Sequence, residues 1–504
     1  MNKMHFFLIA GFFMTQLSGQ NIDDGLRYSL DDTQGTARFT AMSGAFGALG
    51  GDVSSLAINP AGSAVLLQSE VSMAASVFDI ENNTNYFNTN AKSVENDLSL
   101  SHVGGAYVFL NDNSESPWKK FTIGLNYNNT RNFDNDLIIS GNGSNSIGSF
   151  FLSQAQGIPL NLLQLQNGET IADLYSFLGE TQGVAAQNAF LGYRGYIIDP
   201  VAPNSGNTQY TPNVGNGPFS HDYLRLERGY QGKYTFNFAT QYKEYLYFGI
   251  NLNSHVIDYQ QTSFLSENTN NAGDGITAIG FENNLSVLGA GFSAQIGAIA
   301  KINKDFRIGF TYDTPTWFEI SEETSQYLET ERTDGDQSLT AIIDPRVVNI
   351  YADYNLRTPG KLTASMAYVF GRNGLLSVDY IYKDYSNIHF SPEDASFASL
   401  NTIIENTLTS TSGIRVGGEY RINQFSLRGG YRYDQSPYED STIVGDLTGF
   451  SAGAGYNFGN YSFDIAYSRA EQDRKERMYT VGLTDPAATN SIYSNFMVSF
   501  SLRF

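Results

Sequence analysis

In the stretch Asn495–Phe504, Phe496, Val498, Phe500, Leu502 and Phe504 alternate with Asn495, Met497, Ser499, Ser501 and Arg503, putting aromatic and aliphatic groups on one face and mostly polar ones on the other. A period of two is the signature of a β-strand with two unlike faces. The same pattern recurs upstream, in Tyr461–Ser468, Phe450–Phe458, Phe425–Tyr433, Ile414–Ile422 and Leu376–Tyr382. Charges fall in mid-strand opposite the aromatic face, at Arg415, Glu419, Arg421, Arg428, Arg432 and Asp464. A soluble antiparallel sheet also alternates, but with its apolar face turned inward. Here the polar face is the crowded one, as in a barrel whose outside meets lipid and whose lumen is wet.

Composition agrees with a wall of strands. The chain has 504 residues, 14% aromatic, with 35 Phe and 32 Tyr against two Trp, and only 16% charged, where about a quarter is usual for soluble domains. Its net charge of −21 argues against a nucleic-acid partner. Without cysteine there is no disulfide, thiol nucleophile or zinc–thiolate site. Residues 1–19 read as a signal peptide: Lys3, an apolar stretch from Phe6 to Met14, then Ser18 and Gly19, with cleavage expected near Gly19. No later window offers eighteen consecutive apolar residues. An exported, aromatic-rich chain of this kind is expected to be an all-β protein, a transmembrane antiparallel β-barrel in the outer membrane of a Gram-negative bacterium.

Connections alternate between short and long. Tight turns stand at Lys243-Glu244, Asn303-Lys304-Asp305, Arg372-Asn373-Gly374, Asn423-Gln424 and Gly459-Asn460, and the intervening loops run to tens of residues. Candidate strands number about fourteen, centred near Ala75, Ala106, Leu125, Phe236, Phe248, Phe292, Phe310, Ala367, Tyr380, Gly417, Gly429, Gly453, Ile465 and Ser499. The barrel proper therefore spans 69–504.

Three segments do not read as strands. Residues 20–68 carry the Gly/Ala-rich runs Ala41–Gly51 and Asp52–Gly62 and are expected to pack inside the barrel as a hatch, with Asp52 capping a short helix that stops before Pro60. A second segment, 141–222, is too long for a plain loop and is expected to be a helical external insert. Its candidate ligand-gathering side chains are Phe150, Phe151, Leu160, Leu162, Leu163, Phe177 and Leu178; a mini-core for the loop is the other reading of the same residues. The third, Ser321–Asp336, with Glu322, Glu323, Glu329, Glu331, Asp334 and Asp336, reads as a solvated acidic loop.

Catalytic chemistry finds little footing. His5, His102, His221, His255 and His389 are scattered without ligand spacing, and no GxSxG, HExxH, Walker or dinucleotide motif is present. His102 follows Ser101, but neighbours on a strand point to opposite faces. The expectation is no enzyme, no cofactor and no metal site.

Several blocks resemble the FadL/TodX family of outer-membrane transporters for long-chain fatty acids and other hydrophobic compounds. Asn59-Pro60-Ala61 resembles the family's hatch motif. Leu356–Lys361, Ala364–Tyr368 and Val378-Asp379-Tyr380 resemble a block of the later barrel, and Gly413–Tyr420 with Leu427–Pro437 is the nearest match. The resemblance implies a fourteen-stranded barrel with an N-terminal hatch. It also implies passive uptake, in which external loops capture a hydrophobic ligand that passes to a lumen pocket and leaves sideways through the wall. On that basis Asn59, Pro60 and Ala61 are the transport positions, and Arg415, Arg428 and Arg432 are candidate partners for a ligand carboxylate, unless Glu419 or Asp434 occupy them. The implied partners are the hydrophobic ligand, outer-membrane lipid and lipopolysaccharide, and the barrel-assembly machinery. A general diffusion porin and a surface-binding adhesin are the alternatives. Two points depart from the family pattern: the longest external connection is the second one, and the kinked strand of the side opening has only the polar run Asn126–Asn129 as a candidate.

Overall fold

A computed structural model describes residues 20–270, 275–335, 337–393 and 395–504. The expected signal peptide and Asp336 lie outside the described residues. Fourteen antiparallel strands form the wall: β1 (Glu70–Tyr86), β2 (Thr89–Leu110), β3 (Trp118–Asn132), β4 (Phe219–Tyr242), β5 (Leu246–Asn268), β6 (Ile276–Lys301), β7 (Phe306–Asp313), β8 (Lys361–Phe370), β9 (Gly374–Asp384), β10 (Ser410–Ile422), β11 (Phe425–Asp434), β12 (Leu447–Asn457), β13 (Tyr461–Arg477) and β14 (Pro486–Arg503). Each pairs with the next, and β1 pairs with β14 from Glu70↔Arg503 to Asn85↔Ala488, which closes the ring. All fourteen expected centres fall on these strands. Closure removes every sheet edge, which hydrocarbon would leave without hydrogen-bond partners.

Alternation has the expected sense. Phe236, Phe292, Phe310, Phe450, Phe463 and Phe496 are exposed on the outside, while Asn237, Asn251, Gln295, Ser377 and Asp464 are buried within. Strand lengths reach 26 residues in β6, well beyond the roughly ten needed to cross a bilayer. The excess forms a collar on the long-loop side, where the segment Trp317–Asp334 pairs residue by residue with β6, from Trp317↔Phe292 to Arg332↔Ile276. This corrects the reading of 321–336 as a loop. The acidic side chains belong to a strand that alternates, so Phe318, Ile320, Glu322, Leu328 and Thr330 are buried while Glu323 and Glu331 face outward. A second correction concerns Ser101 and His102. The β1–β2 register shifts between Ala74 and Ala75, and this bulge turns both side chains inward, where Ser101 bonds Ser76 and His102 bonds Ser72 and Asn128.

Residues 22–65 fold as two short α-helices, Ile22–Arg27 and Ala37–Ala41, and two 3₁₀ turns, Val53–Ala57 and Pro60–Val65, all within the ring. Asp52 caps the first of these turns by accepting the Ser54 N–H. The long insert carries helices Gly148–Ala155, Ile171–Thr181 and Val184–Arg194.

Candidate functional site

The inner segment packs closely on the wall in the lower part of the lumen and borders a cavity in the upper part. In the lower part, Asn59 is fully buried. Its Nδ2 donates to the carbonyls of Gly47 (2.8 Å) and of Ala298 on β6 (3.1 Å), while its Oδ1 accepts the Ala61 N–H (3.1 Å). The seat for this turn is a dent in the wall. Gly249 on β5 and Gly297 on β6 are paired across the sheet, and a β-carbon on either would overlap Asn59 or Pro60. A second paired set, Gly417↔Gly430, lies against Met42 and Ser43, whose backbone atoms would stand 2.6–2.7 Å from added β-carbons. These glycines provide close backbone approach, a role that reading the sequence strand by strand does not reveal.

Polar bonds from the wall add to this packing. Asn237 donates to the Pro60 carbonyl (3.0 Å) and Asn251 to that of Leu56 (2.8 Å); Gln295 donates to Ile58 (3.0 Å) and Arg307 to Leu49 (2.8 Å). Asp379, from the block Val378-Asp379-Tyr380, accepts the Gly47 N–H at 3.0 Å. Arg38 of the inner segment reaches Glu419 on β10 at 2.8 Å. Glu419 also takes Arg421 (2.6 Å) and Arg428 (2.7 Å), and Arg428 continues to Asp464 (2.6 Å). Arg428 is thus consumed by carboxylates of the wall and does not line the cavity above.

That cavity has a volume of about 1030 Å³. Arg415 and Arg432 both line it. Arg415 is paired with Asp434 at 2.8 Å, and Arg432 donates to Thr33 Oγ1 at 3.0 Å. Phe150 also borders the cavity. Phe151, Leu160, Leu163 and Leu178 are buried in the core of the external insert, with Leu162 packed against it, while Phe177 is exposed. The structure therefore gathers Arg415, Arg432 and Phe150 around one space and assigns most of the insert's apolar residues to holding the insert together.

Three lysines that the sequence reading missed face the same cavity: Lys233 on β4, Lys361 on β8 and Lys383 on β9. Lys361 stands 2.9 Å from Asp313, and Lys383 donates to the Ser29 carbonyl. Lys233 has no ion-pair partner among the described residues. Asp31 of the inner segment stands 3.9 Å from Lys383, with its side chain half exposed to the cavity. Burial alone would raise the Asp31 carboxyl, but Lys383, Lys361 and Lys233 outweigh it and hold the group down at about 2.

The wall itself is interrupted beside the cavity. Pairing of β2 with β3 runs from Leu110↔Lys120 to His102↔Asn128; beyond that β2 follows β1, and β3 follows β4 with a register shift between Asn129 and Arg131. The resulting side groove has a volume of about 620 Å³ and is lined by Leu98, Leu100, Tyr127, Tyr230 and Tyr234 together with Asp97, Asn129 and Asn132. Asn129 and Asn132 also line the cavity, so the two spaces meet at these residues. Asn132 Nδ2 bridges the interruption to Asp97 at 2.9 Å. Both oxygen and nitrogen of the Asn126 side chain, and the Asn129 Oδ1, are buried without protein partners. Unpartnered polar atoms of this kind suit a passage that solvent or a ligand enters. The run Asn126–Asn129 adjoins this interruption.

Among the described residues, no group of three histidine or acidic side chains is arranged to hold a metal ion. The model of the family described as "Outer membrane protein transport protein (OMPP1/FadL/TodX)" matches residues 232–492, just over half of the chain. No curated protein sequence matches. The crystal structure of a Pseudomonas aeruginosa FadL homologue is similar at a TM-score of 0.54 and 13% identity, over 94% of this chain and 100% of that one. The toluene transporter TodX of P. putida gives 0.53 and 14%, over 94% and 99%. At such identities the structural likeness speaks for the fold alone, while the family match speaks for membership. The chain belongs to the OMPP1/FadL/TodX family of outer-membrane transport proteins, and it is a transport protein of the Gram-negative outer membrane, not an enzyme.

Proposed function

We propose that the protein takes up hydrophobic small molecules such as long-chain fatty acids passively, and that they travel from the external insert to the cavity and leave sideways through the β2–β3 interruption. Residues 1–19 act as its signal peptide and 20–68 as a hatch. The observation that carries this reading is the sharing of Asn129 and Asn132 between cavity and side groove, above the part of the inner segment that packs on the wall through Asn59 and its glycine seat. A ligand in the cavity meets a floor tied to the wall by direct bonds, but a side wall with unpartnered polar atoms, bridged only by side chains such as Asn132 to Asp97 and Arg228 to Glu95.

The energetics favour this direction. Each CH₂ removed from water stabilises the bound state by about 0.8 kcal/mol, so an alkyl chain is drawn toward any apolar lining and then toward lipid. Polysaccharide outside the membrane offers no such surface. In the groove Leu98, Leu100 and the three tyrosines supply it.

Filling the passage provides the test. Asn129→Trp should cut uptake of labelled oleate into cells about tenfold or more while leaving oleate binding to the purified protein within about twofold, since an exit barrier of 1.4 kcal/mol already gives a factor of ten. Undiminished uptake in this variant excludes the sideways exit, and absence of any lipophile uptake by the wild type excludes the substrate class.

A further inference from the structure

The cavity is lined by charges of both signs, and the side groove that meets it by one. Asp97 and Asp134 line the groove, with no lysine or arginine. Neither carboxylate has an ion-pair partner among the described residues. Asp97 Oδ2 accepts a hydrogen bond from Asn132 Nδ2 at 2.9 Å, and Asp134 Oδ1 accepts the Gly229 N–H at 2.8 Å. The arginines at this edge of the wall are engaged elsewhere. Arg228 is turned to Asp136 at 2.7 Å and Glu95 at 3.4 Å, and Arg131 faces the cavity, 4.0 Å from Asp32. Burial pushes the Asp134 carboxyl up; the Gly229 N–H opposes this and the neighbouring Asp97 adds to it.

A third acceptor stands with these two. Asn129 lines the groove and is only 5% exposed, and its Oδ1 has no hydrogen-bond partner. A buried carbonyl oxygen left open is costly until a donor reaches it. The rest of the lining is apolar or aromatic: Leu98, Leu100 and Val103, with Tyr127, Tyr230 and Tyr234, of which Tyr127 and Tyr234 have ring centroids 5.0 Å apart. Aromatic faces attract a cation and also pack against hydrocarbon. Acceptors in want of donors, beside aromatic faces and leucines, match a lipophile whose head donates hydrogen bonds and carries no negative charge. A carboxylate in the same place would meet Asp97 and Asp134 in partly dehydrated surroundings, where like charges repel more strongly than in water.

We propose that Asp97, Asp134 and Asn129, with the three tyrosines, form a binding site for the cationic head of a lipophilic amine, and that the same site turns carboxylate anions back. This rests on the sideways exit proposed above and narrows what can leave by it. A primary alkylammonium has three N–H donors, enough for the two carboxylates and the open Asn129 oxygen, while its tail lies along Leu98 and Leu100. A neutral alcohol keeps a donor but lacks the ionic attraction. A fatty acid passes in its protonated form, as an O–H donor, and not as the anion. Asp97 and Asp134 thus set specificity at the exit.

The test uses decylammonium, decanol and decanoate, which share a tail and differ in the charge of the head. Calorimetry on the detergent-solubilised full chain, with Asn129→Trp filling the groove, isolates the binding that belongs to this site. That part should be about tenfold tighter for decylammonium than for decanoate. Replacing Asp97 and Asp134 together by Asn keeps an oxygen for each hydrogen bond and removes only the charge. The double variant should weaken decylammonium about tenfold, leave decanol within about twofold, and raise uptake of labelled decanoate into cells at neutral pH about threefold or more. Amine binding that survives Asn129→Trp, a double variant that changes all three probes alike, or decanoate uptake that stays the same would overturn the proposal. If Asn129→Trp removes amine binding but decanol uptake is undiminished, the amine site stands and the sideways exit is the reading that fails.

Discussion

The lower and upper parts of the inner segment use the same wall in opposite ways. Residues 36–66 meet it through dry, direct bonds: Asn59 to Ala298, Asp379 to Gly47, Arg38 to Glu419, and Pro60 pressed into the Gly249/Gly297 dent. Residues 20–34 meet it partly by packing, with Leu26 and Tyr28 buried beside Phe133, Tyr259 and Tyr354, and partly across a cavity, through charges at 3.9 and 4.0 Å and polar contacts such as Arg432 to Thr33. Burial is less even in the upper part: Ala37, Ala41, Ala45, Phe46 and Ala48 are wholly buried, whereas above them Leu26 and Tyr28 are buried but Ile22, Leu30 and Asp31 open onto the cavity. Tight packing and satisfied hydrogen bonds make a rearrangement costly, while long ionic contacts over water can be exchanged at small cost. The lower part is built as a floor, and the stretch Leu30–Gln34 of the upper part as an arm that starts from the packed Leu26 and Tyr28.

The largest effect should come from removing Glu419, on which three arginines converge. Breaking a buried ionic network from one side costs about 3–5 kcal/mol, because the partners left behind keep their desolvation penalty. Glu419→Ala is therefore expected to make the floor behave like the arm, with hydrogen exchange in residues 36–44 rising to the rate of 30–34. Exchange that stays slow would mean that packing alone, without Arg38, holds the floor.

Overpacking the dent should come next. Gly297→Leu places a side chain where Asn59 and Pro60 sit, at a typical cost of about 1–3 kcal/mol. With the turn unseated, planar-bilayer recording should show ion conductance that the wild type lacks. A silent variant would show that the lower lumen is closed by something other than this turn. Asn59→Ala is milder: it loses the cap of Pro60–Val65 and leaves the Gly47 and Ala298 carbonyls without their donor, a cost of about 1–2 kcal/mol. Its conductance should stay low while oleate uptake changes several-fold, and an unchanged uptake rate would remove Asn59 from the transport path.

How far these parts were legible in the sequence depends on the range of the interactions. Strand positions and tight turns follow from side chains two residues apart or from local turn chemistry, so all fourteen strands could be placed. The Asp52 cap is equally local. The seat of Asn59 was not legible, because Gly249 and Gly297 adjoin it only through sheet register, almost 200 and 240 residues along the chain. The same holds for Lys233, Lys361 and Lys383, each unremarkable on its own strand. Arg428 shows the reverse problem: its inward direction was readable, but its capture by Glu419 and Asp464 depends on neighbours in β10 and β13. The acidic strand 317–334 misled because its charges mask an alternation that only its pairing with β6 enforces.

The smallest expected effect is that of acid on the arm. Asp31 is held at about 2, below its ordinary 3.8, so its ionic contribution is fully present above the unfolded value and fades only as the pH falls through the folded one. A nitroxide on Leu30→Cys, in a chain otherwise free of cysteine, should report the same mobility from about pH 7 to about pH 5 and a looser arm below about pH 3. In the Asp31→Asn background the label should already be mobile at neutral pH and show no further step over that range. The floor supplies the internal comparison, since a label on Ala45→Cys reports a segment that Asp31 does not touch. If the arm loosens between about pH 7 and about pH 5, a group with a higher pKa than Asp31 must hold it. The contact of Asp31 with Lys383 would then be secondary and not the arm's anchor.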